Sequence, residues 1–85
     1  MKQLLEYIIL GITSKPESVS INEENENGTL VLKLKVADED FGSIIGKGGR
    51  TIKAIRDLLR LKAQKENLRF NFVVEEPVSK TANAN

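Results

Sequence analysis

The residues whose types and spacing could do chemistry are concentrated in one stretch, FGSIIGKGGRTIKAI, from Phe41 to Ile55. Gly42, Gly46, Gly48 and Gly49 fall within eight positions there, with Lys47 after the second and Arg50 after the last. Glycines this dense weaken a helix, yet a helical apolar pattern resumes immediately after them. Main chain without Cβ atoms, flanked by two cations, suits the close approach of a phosphate-bearing ligand. Two nucleotide-binding loops fit poorly. A Walker loop needs G-x-x-x-x-G-K-[ST], but Gly42 and Gly46 are one residue too close and Gly48 follows Lys47. The dinucleotide fingerprint G-x-G-x-x-G starts at Gly46 and Gly48 but ends on Thr51.

The 85 residues contain neither histidine nor cysteine. That removes the commonest general base, the usual triad partner, the thiolate nucleophile and the best transition-metal ligands. A carboxylate-only enzyme would still need a walled pocket, for which one small domain has little room. The chain is therefore expected to be no enzyme, and to need no cofactor or metal. The absence of cysteine is compatible with the cytoplasm, and no apolar run approaches the roughly 20 residues that span a bilayer. The N-terminal patch MKQLLEYIILGITSK is interrupted by Glu6 and Tyr7 and lacks a small-residue cleavage site, so it is expected to be a helix and not a leader.

A net charge of +1 conceals an asymmetry. Residues 1–42 hold four lysines against eight acids, whereas residues 43–85 hold nine Lys and Arg against Asp57, Glu66, Glu75 and Glu76. Most of that positive charge lies between Lys47 and Arg69, on and after the glycines. Such a split suits an anionic partner, although a solvated lysine-rich helix would produce it too.

The elements that must position the glycines follow from periodicity. Leu4, Leu5, Ile8, Ile9 and Ile12 recur at helical spacing and predict a helix over residues 2–13, which Pro16 prevents from continuing. Val19 and Ile21 alternate with polar residues in a short strand reaching about Glu24. Asn27-Gly28 then signals a hairpin turn, because both residues tolerate positive φ. Leu30, Leu32, Leu34 and Val36 predict the clearest strand, with Val31, Lys33 and Lys35 on its other face. Asp38 is placed to cap a short helix over residues 39–45, and a long helix follows from about Gly49 to Glu66. Phe70, Phe72 and Val74 give a last strand. Residues 1–76 are expected to form one domain and residues 77–85 a disordered tail with little to bury. The order is helix–strand–strand–helix–helix–strand. A tight hairpin makes the first two strands antiparallel, and the two-helix crossover makes the third parallel to the second. The expectation is an α+β fold with a three-stranded mixed sheet and helices on one face.

In that context the run Ile44-Ile45-Gly46-Lys47-Gly48-Gly49-Arg50-Thr51-Ile52 resembles the signature of KH nucleic-acid-binding domains, I-I-G-x-x-G-x-x-I joining two helices. A bare G-x-x-G is weak, but the flanking isoleucines and the order of elements extend the match over residues 2–75. A leading helix and hairpin are similar to the type II (prokaryotic) arrangement, α-β-β-α-α-β. A chain of this length resembles the small bacterial RNA-binding proteins of the KhpA family more than ribosomal or transcription-factor relatives, which embed the domain in longer chains. The resemblance implies a loop that clamps about four nucleotides of single-stranded RNA. It also implies work as an RNA chaperone or post-transcriptional regulator, pairing with itself or with a larger KH-containing protein of the KhpB/Jag type, and influence on cell-wall synthesis and cell shape.

The candidate RNA-binding residues are Ile45, Gly46, Lys47, Gly48, Gly49, Arg50, Lys53 and Arg56. Gly46 and Gly49 are the pair expected to admit the backbone, with Gly48 in a variable slot. Ile44 and Ile52 are further candidates for an apolar groove, Ile52 being better read as core. Lys53, Arg56 and Arg60 form a basic edge that could continue the phosphate track. With one Tyr, three Phe and no Trp, base stacking should contribute little. Ile52, Ile55, Leu59 and Ala63 face the sheet, while Ala54, Leu58 and Leu61 form a second apolar stripe. That stripe either lies under the N-terminal helix or is a partner surface for a homodimer or heterodimer. A protein-interaction module using the fold as scaffold, and a binder of single-stranded DNA, remain open alternatives.

Overall fold

The structure is a computed structural model and describes residues 1–76, so the tail expected over residues 77–85 lies outside the described residues. Helix α1 (Lys2–Leu10) leads into strands β1 (Ser20–Glu26) and β2 (Thr29–Lys35), helices α2 (Asp38–Ile45) and α3 (Arg50–Lys65), and strand β3 (Arg69–Val74). Short 3-10 turns occupy Pro16–Ser18 and Lys47–Gly49. β1 pairs antiparallel with β2, β2 pairs parallel with β3, and the order across the sheet is β1-β2-β3.

The hairpin closes as its turn chemistry dictates. Asn27 and Gly28 both adopt positive φ, 54° and 84°, which matches the right-handed twist of the flanking strands. Pairing runs up to Glu26 opposite Thr29, so β1 extends two residues beyond the expected Glu24. Leu32 and Leu34 of β2 and Phe72 of β3 pack with Leu5 and Ile9 of α1, Ile44 of α2, and Ile55 and Leu59 of α3 in one core. All three helices therefore bury their apolar sides on the same face of the sheet. Val31, expected on the outer face with the lysines, is on that face but still buried, between its cross-strand neighbours Glu24 and Asn71.

α1 is three residues shorter than its apolar spacing suggested. The chain tightens at Gly11 and Ile12, whose N–H groups bond three residues back to Ile8 and Ile9, and Ile12 remains 41% exposed instead of joining the core. α3 stops at Lys65 because Asn67 turns to φ 55° and the Leu68 N–H returns to the Ala63 carbonyl at 2.8 Å, a left-handed helix ending to which Asn is suited.

Asp38 does not hold the cap position expected of it. Ala37, with extended backbone, holds the cap position, and Asp38 is already the first helical residue. Asp40 instead turns inward and is only 3% exposed. Its Oδ1 accepts from the Ser14 N–H and from the Ser14 hydroxyl, both at 2.8 Å, and its Oδ2 accepts from the Lys15 N–H at 2.9 Å. The loop after α1 is thereby latched to the helix that carries the glycines. The Ser14 N–H bond, with lesser help from the Ser14 hydroxyl and from Lys15, holds the Asp40 carboxyl below its ordinary range against the opposing effect of burial. A depressed pKa contributes stability that is complete above about pH 4 and is lost as pH falls through the folded value. Asp40→Asn should therefore lower the urea midpoint at pH 7, and its deficit relative to wild type should shrink in acid below pH 4. Urea titrations at several pH values measure both.

Candidate nucleic-acid interface

The glycine loop joins two helices whose ends are prepared differently. α2 begins with Asp38, Glu39 and Asp40 in its first turn, which oppose the positive end of its dipole. α3 begins at Arg50 with no acid in its first turn and no side-chain cap. The Arg50 N–H already bonds to the Lys47 carbonyl, but the positive end of the helix dipole meets no opposing acid there and suits an anion. Lys47, Gly48 and Arg50 are exposed directly in front of that helix end.

Within the loop, Gly46 bears the tightest constraint. It sits at φ 78°, ψ 166°, a region open essentially to glycine alone. A Cβ there would run into the Thr51 hydroxyl oxygen and come within 2.7 Å of the Thr51 Cβ and backbone nitrogen. Its N–H bonds to the Gly42 carbonyl at 2.8 Å, and its own carbonyl accepts from the Gly49 N–H at 3.0 Å. Gly48 and Gly49 take left-handed φ of 65° and 77°, but a Cβ at Gly48 would meet nothing within 4 Å. Gly42 is an ordinary helical residue of α2, and nothing in the structure requires a glycine there.

The isoleucines on either side divide. Ile44 is fully buried and belongs to the core, not to a groove. Ile45 is half-buried at the end of α2, and Ile52 is half-buried and packs against the core, as its helical spacing suggested.

The basic edge of α3 is not uniform. Lys53 and Arg60 both reach Asp57, each at 3.3 Å, so one carboxylate moderates two of the cations. The i,i+4 and i,i+3 spacings around Asp57 could have revealed this from sequence. Arg56 is half-buried and directs its Nη2 to the Phe72 carbonyl at 3.1 Å, with its Cζ 5.7 Å from the Phe72 ring centroid. Nothing in the sequence pointed to that contact. The structure thus gathers Ile45, Gly46, Lys47, Gly48, Gly49 and Arg50 at one corner, continues to Lys53, and ties Arg56 to β3. Ala54, Leu58 and Leu61 form a separate stripe: Leu58 is 48% and Leu61 64% exposed, so α1 does not cover them.

Among the described residues, no cluster of acids is close enough to hold a metal ion, and no helix is long and apolar enough to cross a membrane.

A glycine loop between two helices, over a sheet in the order α-β-β-α-α-β, is a type II KH fold. The family profile described as "KhpA/KhpB, KH domain" matches residues 2–74. The "RNA-binding protein KhpA" of Chlamydia pneumoniae is 46% identical over 76 residues, covering 89% of this chain and 97% of the relative. The protein of that name from Clostridium perfringens is 46% identical over 67 residues, 79% of this chain and 89% of the relative. The one from Thermotoga maritima is 49% identical over 59 residues, 69% and 79% respectively. The chain belongs to the KhpA/KhpB family of KH domains.

Proposed function

We propose that this protein is a non-catalytic, cytoplasmic binder of single-stranded RNA that holds the sugar–phosphate backbone at the loop from Gly46 to Gly49. The observation that carries the reading is the acid-free start of α3, fronted by exposed Lys47 and Arg50. A phosphate at that point meets the positive dipole end and two cations together. The relatives' printed name, RNA-binding protein, supports the same choice of ligand. Backbone contacts dominate, so affinity falls steeply with salt. The family resemblance extends the role to RNA chaperoning or post-transcriptional regulation, and to cell-wall synthesis and cell shape through a larger KH-containing partner of the KhpB/Jag type. A gel shift on a short single-stranded RNA, competed by DNA of the same sequence, tests the reading. No shift at low salt would refute it, and equal competition by DNA would reassign the ligand to single strands of either kind.

A second property rests on the uncovered stripe of α3. Ala54, Leu58 and Leu61 lie on one side of the helix, outside the core, and serve as the surface on which the protein pairs with itself or with the larger KH partner. Leu58→Asp places a charge in that surface without touching the core. It should convert a dimer to a monomer in light scattering while the melting temperature of the domain changes by only a few degrees, on the order expected for an exposed substitution.

A further inference from the structure

We infer that the free edge of β1 is a docking site for a basic, extended segment of another protein, which adds there as a fourth strand. The site is separate from the RNA-binding loop. β1 and β3 are opposite edges of the sheet, and α3, which carries the basic residues, ties its Arg56 to β3.

One side of the β1 backbone is unused. The Leu34 carbonyl accepts the Glu75 N–H at 2.8 Å, so the backbone groups of Leu34 face β3. Leu34 is also the antiparallel partner of Ile21, and that pair therefore exchanges no hydrogen bonds. Bonded and unbonded pairs alternate along an antiparallel ladder, which puts Glu23 and Asn25 in the same phase as Ile21. The hairpin agrees, because a two-residue turn with positive φ at Asn27 and Gly28 is closed by bonds between Glu26 and Thr29. The N–H and C=O groups of Ile21, Glu23 and Asn25 thus point away from β2, where the described residues supply no neighbouring strand.

Proteins commonly blunt such an edge with proline, a bulge or lysine. β1 has neither proline nor lysine, and its register with β2 runs unbroken from Ser20 to Glu26. Its charge is acidic instead. Glu24 meets Lys33 at 3.4 Å, while Glu23 and Glu26 are exposed and make no ion pair among the described residues. That charge decides the occupant. Two copies meeting edge to edge in full overlap would set Glu23 against Glu23 and crowd the acids of both strands along one seam. Nucleic acid is repelled for the same reason. A strand carrying lysine or arginine meets opposite charge at Glu23 and Glu26 and supplies the missing backbone partners. Ile21 is half-buried against the core at this edge, so apolar residues at alternate positions of the added strand extend the covered face of the sheet.

Amide hydrogen exchange by NMR on the full chain tests this, with a capped peptide of alternating lysine and valine as long as β1. At about ten times the peptide's Kd, exchange at Ile21, Glu23 and Asn25 should slow roughly tenfold, while exchange in α3 stays unchanged. A peptide with glutamate in place of lysine isolates charge, and one N-methylated throughout isolates backbone pairing. Neither should protect these amides. Glu23→Lys combined with Glu26→Lys, checked for folding by thermal melting, should lose the lysine peptide and gain the glutamate one. Unchanged exchange at millimolar lysine peptide overturns the inference, as does equal protection by either control peptide. No RNA enters the experiment, so its failure and a failure of RNA binding are separately visible.

Discussion

Lys47→Asp combined with Gly48→Asp should reduce affinity for single-stranded RNA by roughly 70-fold while leaving the protein folded. Together the two changes alter the charge of the loop by three units. A unit charge about 5 Å from a phosphate in water is worth about 0.8 kcal/mol. Three amount to about 2.5 kcal/mol, and each 1.36 kcal/mol is a factor of ten. The structure shows why the pair is a clean probe. Lys47 and Gly48 are exposed, and a Cβ on Gly48 points into open space. Only the left-handed φ of 65° opposes a side chain there, at about 1 kcal/mol, and Asp tolerates that region better than most residues. Melting should therefore fall by about 4–8 °C. Gel shifts at low salt give the affinity. Retained binding by a folded variant would show that the loop does not hold the backbone.

Gly46→Ala should have the largest effect on stability of any substitution in the loop, about 3 kcal/mol or more. Two causes act together: the backbone region at φ 78°, ψ 166° excludes a side chain, and the new methyl group would press on the Thr51 side chain and backbone nitrogen. Thr51 belongs to the first turn of α3, so the clash cannot be relieved by swinging a flexible side chain. A loss of that size lowers the melting temperature of a domain this small by roughly 12–24 °C. Gly48→Ala and Gly49→Ala, left-handed but sterically open, should each cost only about 1 kcal/mol. Thermal unfolding of the three variants measures the order directly, and a Gly46→Ala protein melting within a few degrees of Gly49→Ala would contradict it. The consequence for function is practical. Lost RNA binding in Gly46→Ala would report a deformed loop as readily as a missing contact, so the charge reversal at Lys47 and Gly48 is the better test of the clamp.

These glycines also show where local pattern ends. Their density marked the loop at once, and the apolar repeats on both sides marked two helices joined by it. Which glycine the fold itself needs was not visible, because the obstacle to a side chain at Gly46 is Thr51, five residues away across a turn. Asp40 makes the same point at longer range. In the sequence it is only one of three acids in a row before Phe41. Its partners Ser14 and Lys15 lie 26 and 25 residues earlier, and only the packing of α1 beside α2 and α3 brings them within reach.

Periodicity of two and 3.6, a two-residue turn that accepts positive φ, and the handedness of crossover connections determined the element order, the mixed sheet and the position of the loop, because each depends on neighbours within a few residues. Tertiary structure alone decided which polar groups far apart in the sequence meet. It turned Arg56 onto the open edge of β3, buried Asp40 beneath the α1 loop, and left Leu58 and Leu61 outside the core. Hydrogen bonds and ion pairs act over a few ångströms of space, and separation along the chain does not record that distance.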